Sequence, residues 1–123
     1  MTLRFASIGS GSKGNCLVAE ADGTRVLVDC GLSPRETERR LARIGLAPED
    51  LAGILVTHEH DDHAGQAYPF AAQHKLPVWL TYGTQLALTE ARKPPGGVDT
   101  RTIDGRSTFA IDGLEVRPYT VPH

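Results

Sequence analysis

The chain has 123 residues, 40% of them hydrophobic and 23% charged, which is enough for one domain with a modest core and too apolar for a disordered segment. A formal net charge of −2 gives no overall attraction to polyanions, so any grip on nucleic acid would have to come from local Lys, Arg or bound metal. Arg4 interrupts Thr2-Leu3-Arg4-Phe5-Ala6, so no signal peptide is expected, and no apolar run is long enough to span a bilayer; a cytoplasmic location is the expectation.

Residues 2–8 read as a strand. Gly9-Ser10-Gly11-Ser12-Lys13-Gly14 follows, a literal match to G-x-G-x-x-G. The dinucleotide fingerprint needs a helix to begin at its glycines, whereas Asn15 to Ala21 is short, β-prone and ended by Asp22-Gly23. A phosphate-binding P-loop fails as well, because Gly14 follows Lys13 where Ser or Thr is needed. The segment is therefore expected to join two strands and to present N–H groups, Ser10, Ser12 and Lys13 to an anionic substrate.

Asn15 to Ala21, the turn Asp22-Gly23 and Thr24 to Asp29 complete a β-meander. Ser33-Pro34-Arg35-Glu36 is a capping box with Pro at the first helical position, and Leu41, Ile44 and Gly45 close a short helix whose other faces are charged. Arg39, Arg40 and Arg43 form a stripe on it, but Glu36 and Glu38 accompany them, so a solvated face is expected over a nucleic-acid patch. Leu51 to Thr57 is a short apolar strand, and Ala64 to Lys75 reads as a helix interrupted near Pro69. Pro77 to Thr81 is a strand, Thr84 to Arg92 a helix and Lys93 to Gly97 a loop. Arg101–Ile103, Thr108–Ile111 and Leu114–Val121 are further strands, with Asp112-Gly113 turning between the last two. Trp79, Tyr82 and Phe70 are expected in the core, His74 at the surface, and Cys16 and Cys30 as small buried residues with reduced thiols. Strands followed by alternating helices and strands predict a sheet with helices on one outer face.

His58-Glu59-His60-Asp61-Asp62-His63 carries the chemistry, because three imidazoles crowd directly after the apolar Gly53-Ile54-Leu55-Val56. In extended backbone, residues two apart point to the same side, so His58 and His60 can offer their rings to one metal, with Asp62 and His63 free to serve a second. Imidazole with carboxylate suits zinc, and less selectively manganese, iron or cobalt; the lack of a thiolate favours a catalytic over a structural site. A solvated histidine-rich turn is the alternative, against which the spacing, the buried strand and the following helix all speak. Glu59 and Asp61 are expected to point away, either able to hold an imidazole N–H. Asp29 ends an apolar strand where an unpaired carboxylate is costly, so it should accept hydrogen bonds from loop N–H groups or a histidine; a plain turn aspartate is the alternative.

The H-x-H-x-D-H of His58, His60, Asp62 and His63 resembles the signature of the metallo-β-lactamase superfamily of metallo-hydrolases. Ser7 to Cys16 is similar to the opening of its YycJ/WalJ-type branch, whose members are regarded as nucleases. Val28-Asp29-Cys30-Gly31 resembles the superfamily's strand-end Asp-x-Gly, and Val121-Pro122-His123 the place where the branch supplies another metal histidine. The resemblance implies an α/β (α+β) fold, the αββα sandwich, of which this chain supplies about the first αβ layer. Residues 1–123 are expected to be the N-terminal part of one such domain, with the C-terminal half absent, because the family's later bridging Asp and last metal His have no counterpart. It implies two divalent ions, zinc first and manganese as the alternative: one on His58, His60 and His123, one on Asp62 and His63. Asp62 would also orient the attacking hydroxide, and Asp29 would organise the ligands. The implied function is a metal-dependent hydrolase of nucleic-acid phosphodiesters. The alternatives are a catalytically incomplete metal-binding half-domain, or a hydrolase of a thioester, lactone or small cyclic phosphodiester. A first layer alone would leave one apolar sheet face uncovered, which predicts self-association.

Overall fold

The computed structural model describes residues 3–12, 14–58, 60–91 and 97–118, with the backbone alone at residues 61, 62, 90 and 91. Six strands form one sheet in chain order: β1 (Leu3–Gly9), β2 (Cys16–Ala21), β3 (Thr24–Val28), β4 (Gly53–Leu55), β5 (Val78–Thr81) and β6 (Thr100–Ile103). The first three run antiparallel as the expected meander, and β3 to β6 are parallel. The change of direction follows from the connections. Asp22-Gly23, with φ of 50° and 80°, makes a tight hairpin turn, whereas each later strand is reached through helix or loop.

Helix α1 (Pro34–Arg43) begins where the capping box places it, with Ser33 Oγ accepting from the Glu36 N–H at 3.2 Å. The histidine motif runs into the single turn α2 (Asp61–Ala64), followed by α3 (Ala67–His74). The expected helix is thus broken at Gly65-Gln66 and not at Pro69. Pro69 falls in the first turn of α3, where its missing N–H had no intrahelical partner to lose. Lys75 then ends α3 in the left-handed conformation, φ 56°. Helix α4 (Tyr82–Ala91) starts two residues earlier than expected because Thr81 Oγ1 accepts from the Thr84 N–H at 3.3 Å and so caps it. That early start leaves Tyr82 67% exposed, contrary to its expected place in the core.

Helices cover one face of the sheet. Val18, Leu27, Ile54, Val78 and Leu80 point from the strands into a core completed by Leu41 of α1, Phe70 of α3 and Leu88 of α4. Phe70, Leu27, Leu41, Ile54 and Leu80 are almost wholly excluded from solvent; burial of each such side chain stabilises by about 1.5–3 kcal/mol. His74 is less superficial than its sequence context suggests, since its ring packs on Phe70 and its Nε2 lies 2.7 Å from Glu38 of α1.

The other face is not bare. A separate hairpin, β7 (Phe109–Ile111) and β8 (Leu114–Val116), lies on it and buries Ile111 and Leu114 against Ala21, Val26 and Trp79. Gly113 N–H donates to Thr24 Oγ1 at 3.0 Å, which fastens the hairpin tip to the β2–β3 turn. Cover is partial: Leu3 and Phe5, whose partners Ala21 and Ala19 belong to this face, are 60% and 71% exposed. The last strand ends at Val116, short of the expected Val121, whose position lies outside the described residues. No described helix is long and apolar enough to cross a membrane.

Candidate metal centre

The site lies at the C-terminal ends of the parallel strands. β4 is only three residues long, yet the backbone around it is held on both sides: Asp29 N–H donates to Leu55 O and Val56 N–H to Trp79 O, at 2.8 and 2.9 Å. The chain leaving β4 therefore has little freedom as it enters Thr57 and His58.

Three imidazoles meet there. The His58 ring centroid is 3.9 Å from that of His63 and 4.9 Å from that of His60. His58 and His63 are half-buried and His60 is exposed. The α2 turn delivers His63, because the His63 and Ala64 N–H groups both donate to His60 O, at 2.9 and 2.8 Å. Cys30 clamps that turn from the β3 side: its N–H donates to His63 O at 2.6 Å and its carbonyl accepts from Gln66 N–H at 2.9 Å.

Asp29 accepts the hydrogen bonds that its place at the end of an apolar strand called for. It is 6% exposed and adopts the left-handed conformation, φ 65°, which swings its carboxylate toward the histidines. Oδ1 accepts from the Thr57 N–H at 2.8 Å, and Oδ2 lies 2.8 Å from His63 Nδ1. Thr57 Oγ1 is 2.9 and 2.8 Å from the two oxygens and 2.9 Å from His58 Nδ1. One carboxylate thus reaches two of the three rings, and a turn aspartate with no further role would not. Ligand-capable atoms of Asp29, His58 and His63 all fall within 4.8 Å of one another, a donor set whose chemistry fits a divalent ion.

Sequence reasoning missed Thr57. Its one signal was a hydroxyl residue placed directly between the buried strand and the first histidine. The side chains of Asp61 and Asp62, and all of Lys13, Glu59 and His123, lie outside the described residues. Ser10 and Ser12 are exposed on the β1–β2 loop. Asn15 shapes that loop, its side chain accepting from Gly11 N–H at 3.2 Å and donating to Gly11 O at 3.0 Å. Gly31 N–H donates to Asn15 O at 3.1 Å, so the loop's end runs beside the segment that carries Asp29. Gly14 packs so closely on Gly31 that a Cβ there would come within 2.8 Å of its backbone.

Both cysteines are buried free thiols, as expected. A hydrogen bond with Cys30, and then burial, push the Cys16 thiol well above its ordinary range. A thiol held protonated in this way is a poor nucleophile at Cys16.

The sequence profile of the metallo-beta-lactamase superfamily matches residues 9–123. Over 123 residues the chain is 36% identical to the exodeoxyribonuclease WalJ of Streptococcus pneumoniae serotype 2, a match covering 98% of this chain and 45% of that protein. Over 88 residues it is 41% identical to the exodeoxyribonuclease YycJ of Bacillus anthracis, covering 72% of this chain and 33% of that one. Among solved structures, MEM-A1, a subclass B3 metallo-beta-lactamase from a soil metagenome library, matches with a TM-score of 0.73 at 22% identity, over 94% of this chain and 49% of that chain. That last likeness is one of fold. The chain spans less than half the length of each of these proteins.

Proposed function

This chain belongs to the metallo-β-lactamase superfamily, in the branch of YycJ and WalJ, and we propose that it carries the metal-binding part of a nuclease that hydrolyses nucleic-acid phosphodiesters. One observation carries the reading: His58, His60 and His63 converge at a strand end with Asp29 bonded to His63 and, through Thr57, to His58. His58, His60 and His123 would hold one divalent ion, and Asp62 and His63 a second, with zinc the first choice and manganese the alternative. When bound, such a pair supplies Lewis acidity toward a phosphoryl oxygen and acidifies water near neutral pH.

The chain's own residues do the rest. Asp62 would orient the attacking hydroxide by accepting a hydrogen bond from it. Asp29 holds the His63 ring in place, and its oxygens are already occupied by Thr57 and His63, which supports its role as organiser over that of a ligand. Ser10, Ser12 and Lys13 would meet a substrate phosphate, a reading supported by the Gly31 N–H to Asn15 O hydrogen bond that brings the end of the β1–β2 loop beside the segment carrying Asp29. We take residues 1–123 as the N-terminal part of one αββα domain in a cytoplasmic protein, the second sheet layer packing over the face that bears Leu3 and Phe5.

The test is elemental analysis of the intact protein, paired with cleavage of a labelled single-stranded DNA. Two divalent ions per chain, with cleavage abolished by His60→Ala and Asp62→Ala, is the expected result. Metal-independent cleavage, or cleavage unaffected by both substitutions, would overturn the proposal.

A further inference from the structure

We infer that Thr57 is a positioning residue that fixes the ring tautomer of His58 by relaying to it the acceptor strength of Asp29. The use of the relay rests on the metal-centre reading above; its geometry does not. Thr57 Oγ1 stands 2.9 and 2.8 Å from the Asp29 oxygens and 2.9 Å from His58 Nδ1. A hydroxyl has one proton to give, and an ionised carboxylate can only accept. The proton therefore goes to Asp29, and the Thr57 oxygen is left to accept from His58. His58 must then carry its own proton on Nδ1.

The same logic applies directly to His63, whose Nδ1 lies 2.8 Å from Asp29 Oδ2. A neutral ring that holds its proton on Nδ1 carries its lone pair on Nε2, the form in which imidazole ligates. One buried carboxylate thus presets two rings, one by contact and one through a hydroxyl. The relay is stiff. Thr57 is β-branched, and its backbone N–H is tied to Asp29 Oδ1 at 2.8 Å, so hydroxyl and carboxylate are held together from two sides. A free neutral imidazole favours the opposite tautomer, with the proton on Nε2, so His58 without the relay would have to exchange tautomers before it could ligate.

The test is nitrogen-15 NMR of the ring nitrogens in the intact, metal-free protein at a pH where the rings are neutral, followed by a zinc titration. The expected wild-type spectrum shows His58 and His63 both protonated on Nδ1. Thr57→Val, which keeps the shape and removes the hydroxyl, is expected to shift His58 alone to the Nε2–H form and to weaken zinc binding on the order of 10-fold. Thr57→Ser should restore both readings. A wild-type His58 protonated on Nε2 would overturn the relay without any variant having to fold, as would an unchanged tautomer in folded Thr57→Val. The metal-centre reading fails separately: wild-type protein that takes up no zinc while His58 shows the Nδ1–H form sinks that reading and leaves the relay standing.

Discussion

Replacing Asp29 tests the centre's organisation in one position, because three substitutions remove different parts of it. In Asp29→Ala the Thr57 N–H and the His63 Nδ1–H both lose their acceptor. At about 1–3 kcal/mol for each partly buried donor left unpaired, that costs about 2–6 kcal/mol. The residue sits at φ 65°, and an alanine forced into the left-handed region adds about 1 kcal/mol. The sum, about 3–7 kcal/mol, is a large share of the roughly 5–15 kcal/mol that holds a typical domain together. Asp29→Gly removes the same acceptors but not the backbone fit, so it should recover about 0.5–1 kcal/mol relative to alanine. Asp29→Asn tolerates the backbone and keeps one oxygen for Thr57, but it turns an amide N–H₂ toward His63. Its cost should be confined to about 1.5–3 kcal/mol, the worth of one charged hydrogen bond, with zinc affinity down on the order of 10–100-fold. Urea unfolding of the metal-free protein, with zinc titration of each variant, reads both quantities. An Asp29→Ala protein within about 0.5 kcal/mol of wild type would refute the reasoning, since that is the range of an ordinary surface substitution.

Glu36 tests the α1 surface through pH. Its hydrogen bond to Arg40, then the charges of Arg39, Arg40 and Arg43, hold its carboxyl below the usual range. A lowered folded value means its contribution is present above the ordinary glutamate pKa of about 4.3 and fades as pH falls through the folded value. The melting-temperature gap between wild type and Glu36→Gln should therefore be constant near neutrality and close in acid; a gap that ignores pH would contradict this. The cysteines test burial: with Cys16 and Cys30 at 1% and 0% exposure, iodoacetamide should label neither thiol in the native protein and both after denaturation. Rapid native labelling of Cys16 would show that its hydrogen-bonded, buried state is wrong.

The parts legible in the sequence were those coded by neighbours along the chain. Ser33 to Glu36 announced α1 because a cap is a contact over three residues, and the histidine motif announced the site because its spacing is itself the geometry. Misreadings arose where distant contacts decide. Thr57 looked like a strand end because its partner Asp29 lies 28 residues away. Tyr82 looked like core because nothing local shows that Thr81 will cap a helix there and turn the ring outward. The β7–β8 strands were foreseen, but their docking on the second sheet face depends on Thr24, 89 residues from Gly113.

Parallel pairing of β3 with β4 also sets an order of events. Asp29 and the residues it organises are separated by 28 and 34 positions, so no local fluctuation of the chain can bring them together. They meet only when Val26, Leu27 and Val28 pair with Gly53, Ile54 and Leu55, after α1 has bridged the gap. Contacts of that span form slowly, since loop closure precedes any gain from pairing. A nascent chain that has left the ribosome as far as Val56 already holds Asp29 but neither of its partners. The contacts of Asp29 with Thr57 and His63 are thereby confined to chains whose central strands have closed.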